Sequence, residues 1–148
     1  MIHLASHAET EANHPLESFL ALSPDSDKGT QDDGTLTARD ILGLKLEANL
    51  VVLSACETAR GAIGRGEGVL GLGWAVLAAG ARASVLSQWQ VDSAATADLM
   101  IDFHRRLTAA KAPEKSEALR EASLGTMRMQ GRQHPFYWAS FIVVGDGR

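Results

Sequence analysis

The chain has 148 residues, 45% of them hydrophobic, a length and composition that suit one globular domain, residues 1–148, around a single core. Its 14 basic and 18 acidic residues give a formal charge of -4 and are interspersed, which leaves no electrostatic footprint for nucleic acid. The single cysteine cannot form an internal disulfide, the start has no basic-then-apolar leader, and no window approaches the roughly 18 consecutive apolar residues of a membrane span. A cytoplasmic location without membrane insertion is the expectation.

MIHLAS at 1–6 is predicted to be a buried strand, short, apolar and rich in aliphatic residues. SFLALS at 18–23 is a weaker strand candidate, and SPDSDKGTQDDG at 23–34 is a polar, Asp- and Gly-rich loop without periodicity. Thr37 to Asp40 forms a capping-box pattern, with Asp in place of the usual Glu or Gln, that starts a short helix before Gly43. NLVVLSA at 49–55 is a second strand. Glu67 to Ala79 is a helix, apolar almost all round, whose Gly68, Gly71 and Gly73 imply close packing against a sheet and burial on most sides. ASVLSQW at 83–89 is a third strand. Leu99, Phe103 and Leu107 recur every four residues in an amphipathic helix that Asp92 or Ser93 can cap. A further helix is predicted over 114–130, and ASFIVVG at 139–145 is the last strand. Strands that are apolar throughout and alternate with helices point to parallel βαβ units, so the fold class is α/β with a mostly parallel central sheet.

In open parallel sheets, ligands bind outside the carboxyl ends of the strands, where loops diverge. Three strand ends therefore carry the chemistry: His7 follows the first, Cys56 the second, and Gln88, Trp89 and Asp92 the third. A thiol has an ordinary pKa of about 8.5 and needs an imidazole or a helix terminus to become a thiolate near neutral pH. His7 is the residue positioned to supply it. Each residue also has a structural reading: Cys56 as a small buried hydrophobe, His7 as a hydrogen-bonded strand-end histidine, Asp92 as a helix cap and Trp89 as a core aromatic.

Two other motifs compete. His3 and His7 have the spacing of helical zinc ligands, but in a continuous strand residues four apart stand roughly 13 Å from each other, too far to share one metal. GEGVLG, with Gly66, Gly68 and Gly71, matches the dinucleotide fingerprint in letters. That fingerprint puts its first glycine on the turn directly after a strand, whereas here ACETARGAIGR intervenes, and Gln88 stands where the acidic ribose partner belongs. Close helix packing accounts for these glycines better.

HLASHAE in the first strand, LTARDILGLKLEANLVVLSACETARG around the cysteine, GEGVLGLGWAVLAAGARASVLSQWQVD and HPFYWASFIVVGD together resemble the CHAT domain, a caspase-like group of cysteine peptidases related to the separases. The resemblance covers nearly the whole chain, and the SACET segment and the tryptophan followed by an acid are its most specific marks. It implies a three-layer α/β/α caspase-like fold, with His7 as catalytic histidine and Cys56 as nucleophile. The backbone amides of Cys56 and Ala8 would form the oxyanion hole, and Glu57, Gln88, Trp89 and Asp92 the substrate pocket, whose acidic character suits a basic side chain before the cut. No metal or other cofactor is implied. The expected activity is hydrolysis of a protein or peptide substrate in regulatory proteolysis, in a bacterium.

The chain departs from the family pattern in two places. Ala8 stands where the family usually has glycine. The chain also begins inside the histidine strand, so a preceding strand and helix are expected to be missing and a sheet edge to be open for pairing with another copy. A helical-repeat partner or domain is a further expectation, since such repeats often accompany the family. The alternative function is a catalytically silent interaction or scaffolding module with the same fold.

Overall fold

The computed structural model describes all residues except Ala12, 25–32, 55–66, Gln90 and Val91, and of residues 67–70 the backbone alone. A four-stranded sheet has the order β1-β5-β6-β7, built from β1 (Ile2–Leu4), β5 (Val51–Leu53), β6 (Ala83–Ser87) and β7 (Phe141–Gly145). β1, β5 and β6 run parallel, with Val51 opposite Ile2 and Ser84, and β7 runs antiparallel to β6. A second, three-stranded antiparallel sheet joins β2 (His7–Glu9), β3 (Phe19–Ala21) and β4 (Thr35–Thr37).

Two layers cover the main sheet. On one face α1 (Ala38–Leu42), α2 (Glu67–Ala78) and the small sheet pack with Val51, Leu53 and Leu86, burying Leu20, Ile41, Leu72 and Val76. On the other, α3 (Ser93–Leu107) and α4 (Lys115–Met127) pack with Val52, Ala83 and Val85, burying Leu99, Phe103 and Leu119. Successive residues of β5 thus serve opposite cores, which is why the strand is apolar throughout rather than alternating. The α/β, three-layer reading holds.

Local signals are realised where they are strongest. Thr37 accepts a hydrogen bond from the Asp40 amide and the Asp40 side chain accepts one from the Thr37 amide, so the capping box opens α1 and Gly43 closes it. The glycines of α2 allow close approach: a side chain at Gly71 would meet Pro15, and one at Gly73 would overlap Leu86. The chain leaves this helix through Gly80, whose φ of 112° favours glycine. Gly68 and Gly71 lie within the helix rather than on a turn after a strand, the placement a dinucleotide fingerprint requires; Gly66 lies outside the described residues.

At four points the structure departs from the sequence reading or adds to it. MIHLAS is not one strand: β1 ends at Leu4, the chain bends through Ala5 and Ser6, and His7 opens a strand of the other sheet. The polar segment 23–34 is followed by a strand, β4, that the sequence reading does not include. β7 is antiparallel, because α3 and α4 in succession return the chain to the sheet from the opposite end. Trp74, on a helix expected to be buried on most sides, is 67% exposed while Leu72, Ala75 and Val76 are buried.

Candidate active site

The carboxyl ends of β1 and β5 and the first turn of α3 enclose an open cleft of about 340 Å³, lined by His3, Ser6, His7, Ser54, Ser93 and Thr96 among others. β1 delivers its residues there because the bend after Leu4 is tied down: the Ser6 hydroxyl donates to the carbonyl of Ala21 in β3. Beyond the bend the pleat of β2 sorts the side chains, with His7 exposed, Ala8 buried at 5% exposure and Glu9 exposed. Ala8 therefore occupies extended strand backbone, a conformation alanine adopts freely. His3 and His7 line one cleft from two different strands, so the spacing of a continuous strand does not describe them. Among the described residues, no three His, Cys, Asp or Glu side chains converge as metal ligands.

The best-connected feature of the cleft is a run of three polar side chains. The Ser54 hydroxyl lies 2.8 Å from Nε2 of His3, and Nδ1 of His3 lies 3.0 Å from Nε2 of His104 on α3. The Ser54 amide also donates to the Leu4 carbonyl at 2.9 Å, so β1 holds this residue by backbone and side chain together. The two imidazoles pack at a ring-centroid distance of 4.9 Å, and His104 lies 5.5 Å from the ring of buried Phe103. Burial, and then the neighbouring His104, push the His3 pKa below its ordinary 6.5, and burial does the same to His104. Both rings are thus disposed to be neutral at pH 7.

Of the residues singled out in the sequence, Cys56 and Glu57 lie outside the described residues; Ser54, two positions before the cysteine, is the last one described on that side. His7 opens onto the cleft. Gln88, Trp89 and Asp92 are not among its described lining. Gln88 is exposed and its amide donates to the Ser140 carbonyl at 2.7 Å, while the Trp89 indole N–H donates to the Phe136 carbonyl at 3.4 Å. Asp92 accepts from the Ala95 amide at 2.8 Å as the N-cap of α3, and the residue after it, Ser93, is the one that lines the cleft. Sequence reasoning passed over His104 and Ser54. The only hint was that Ser54 is the first polar residue after an apolar strand; nothing local marks His104, 101 positions from its partner.

A family model described as "CHAT domain" matches residues 1–146. "Tetratricopeptide repeat protein 28" of Mus musculus and that of Homo sapiens are each 34% identical to the chain over 111 residues, 75% of the chain and 4% of the relative. The chain thus spans a small fraction of the length of these curated relatives.

Proposed function

The chain belongs to the CHAT domain family, and on that premise we propose that it is a cysteine peptidase in which Cys56 and His7 form the catalytic dyad. The observation that carries this reading is the convergence at one cleft of His7, at the head of β2, and Ser54, two residues before Cys56 at the end of β5. Cys56 transfers its proton to His7 and the thiolate attacks the scissile carbonyl carbon. The resulting oxyanion takes hydrogen bonds from the backbone amides of Cys56 and Ala8. His7 returns the proton to the leaving amine as the C–N bond breaks. It then takes a proton from the water that attacks the thioester, and Cys56 leaves as the free thiol. Glu57, Gln88, Trp89 and Asp92 belong to the substrate pocket in this reading.

A thiol-directed peptidyl electrophile tests it. Cys56 is expected to be modified, and His7→Ala to slow the modification by about 100-fold or more. Equal rates in the two proteins would refute the dyad.

A second reading is favoured by the relatives, which are tetratricopeptide repeat proteins of which this chain spans only 4%. The domain would then act as an interaction module beside helical repeats, with the edge strand β1 as a surface for pairing. Its signature is partner binding that Cys56→Ser leaves unchanged, together with an unreactive thiol.

A further inference from the structure

We propose that His104, His3 and Ser54 form a polar positioning relay in which His104 fixes the tautomer of His3 so that His3 donates to Ser54 and pins the end of β5. The role assigned to this relay rests on the dyad reading above; its hydrogen-bond polarity does not.

The polarity follows from one orphaned atom. Nδ1 of His104 is buried and has no hydrogen-bond partner among the described residues. Two arrangements of hydrogens satisfy the 3.0 Å contact between the neutral rings. If His3 donated from Nδ1, His104 would accept at Nε2 and carry its own hydrogen on the orphaned Nδ1, leaving a buried donor unpaired. If His104 donates from Nε2, only a lone pair is orphaned, and unpaired buried N–H groups are the rarer fault. His3 then accepts at Nδ1 and carries its hydrogen on Nε2, aimed at the Ser54 oxygen 2.8 Å away. Ser54 is the acceptor of that bond.

The consequence lies in what Ser54 anchors. It is 8% exposed, and its amide is held by the Leu4 carbonyl while its hydroxyl is held by the residue before Leu4. Both ties come from β1, the strand that leads through Ser6 to His7. The relay therefore sets the end of β5 relative to the strand that delivers the histidine, and it braces both against α3 through His104. Displacements on the order of 1 Å at such a point can slow a reaction about a hundredfold. His3 and His104 are positioning residues here.

The test has a spectroscopic arm and a kinetic arm on the whole chain. Nitrogen-15 NMR of the imidazoles, recorded well above their pKa, is expected to show His3 and His104 both protonated at Nε2; a hydrogen on Nδ1 of His3 would overturn the polarity. In the kinetic arm, Ser54→Ala and His104→Phe are each expected to slow Cys56 alkylation roughly tenfold to a hundredfold. His104→Gln, which keeps an N–H donor for His3, is expected to restore most of the rate, a rescue that mere core filling would not produce. Folding of each variant is checked by its near-ultraviolet circular dichroism, and Ser54→Ala, a small change, decides the positioning role by itself if His104→Phe does not fold. Wild-type rates in folded Ser54→Ala and His104→Phe would overturn the positioning role. Absence of alkylation in the wild type would refute the dyad instead, with the NMR arm still deciding the polarity.

Discussion

Gly73 of α2 faces Leu86 of β6 so closely that a methyl group at position 73 would overlap the leucine's Cδ1. The contact seats the helix on the face of the sheet opposite α3 and α4. Leu86 is 1% exposed and packed among the residues of that core, so it has little room to swing aside.

Gly73→Ala therefore sets two effects against each other. Alanine favours the helix by about 1 kcal/mol, whereas overpacking a filled core costs roughly 1–3 kcal/mol. The expected outcome is a net loss on the order of 1 kcal/mol, seen as a lower urea midpoint with an unchanged slope. A midpoint that rises would mean that the core yields at Leu86.

Asp92 caps α3 through the Ala95 amide, so Asp92→Ala is expected to lower stability by about 1 kcal/mol while Asp92→Asn, which keeps an acceptor, changes it little. The asparagine variant also isolates the carboxylate's charge. If Asp92 belongs to a pocket for basic side chains, Asp92→Asn raises KM for peptides with a basic residue before the cut; an unchanged preference leaves the cap as its whole role.

The paired histidines give the fold an acid sensitivity with a definite sign. Both fold with a pKa below the ordinary 6.5, held down by burial, so between that folded value and 6.5 the unfolded chain binds more protons than the folded one. Their contribution is fully present above 6.5 and is lost as pH falls from there through the folded pKa. Stability measured by urea titration at successive pH values is expected to decline over that window in the wild type. The decline should be smaller in His104→Phe; parallel curves for the two proteins would refute this.

Lys115, at the start of α4, is only 6% exposed, and its ammonium donates to the carbonyls of Asp146, at 3.0 Å, and Arg148. The Ser116 amide adds a bond to the Gly147 carbonyl at 3.0 Å, so the helix start clamps the segment after β7. Lys115→Met removes the donor but keeps most of the packing. An expected loss of roughly 1.5–3 kcal/mol should be accompanied by faster hydrogen exchange at the Asp146 amide, which bonds the Arg82 carbonyl. Unchanged exchange there would show that the clamp is not held by the lysine.

Several of these features are legible without a structure because they are local or repeat along one element. The capping box of Thr37 and Asp40 needs only three residues of separation, and the period of Leu99, Phe103 and Leu107 needs only one helix. LVVL and ASVLS are readable as central strands because residues buried on both faces cannot alternate. Strands of three residues such as β2 and β4 carry too little pattern to be distinguished from the turns around them, so the sequence does not mark Thr35–Thr37, whereas the apolar SFLALS does mark β3.

The α/β class and the family are legible in the sequence, since buried strands, helix periods and the SACET motif are written in neighbouring residues; the dyad of Cys56 and His7 is a proposal that starts from the same residues. Only the tertiary structure shows that β7 runs antiparallel and that the first strand breaks so that His7 begins a second sheet. It alone also joined Ser54 to His3 across 51 positions and His3 to His104 across 101. The physical reason is the same throughout: hydrophobic burial is non-directional and leaves its mark on each segment separately, whereas a directional bond between distant side chains exists only once packing has set the angle between their elements.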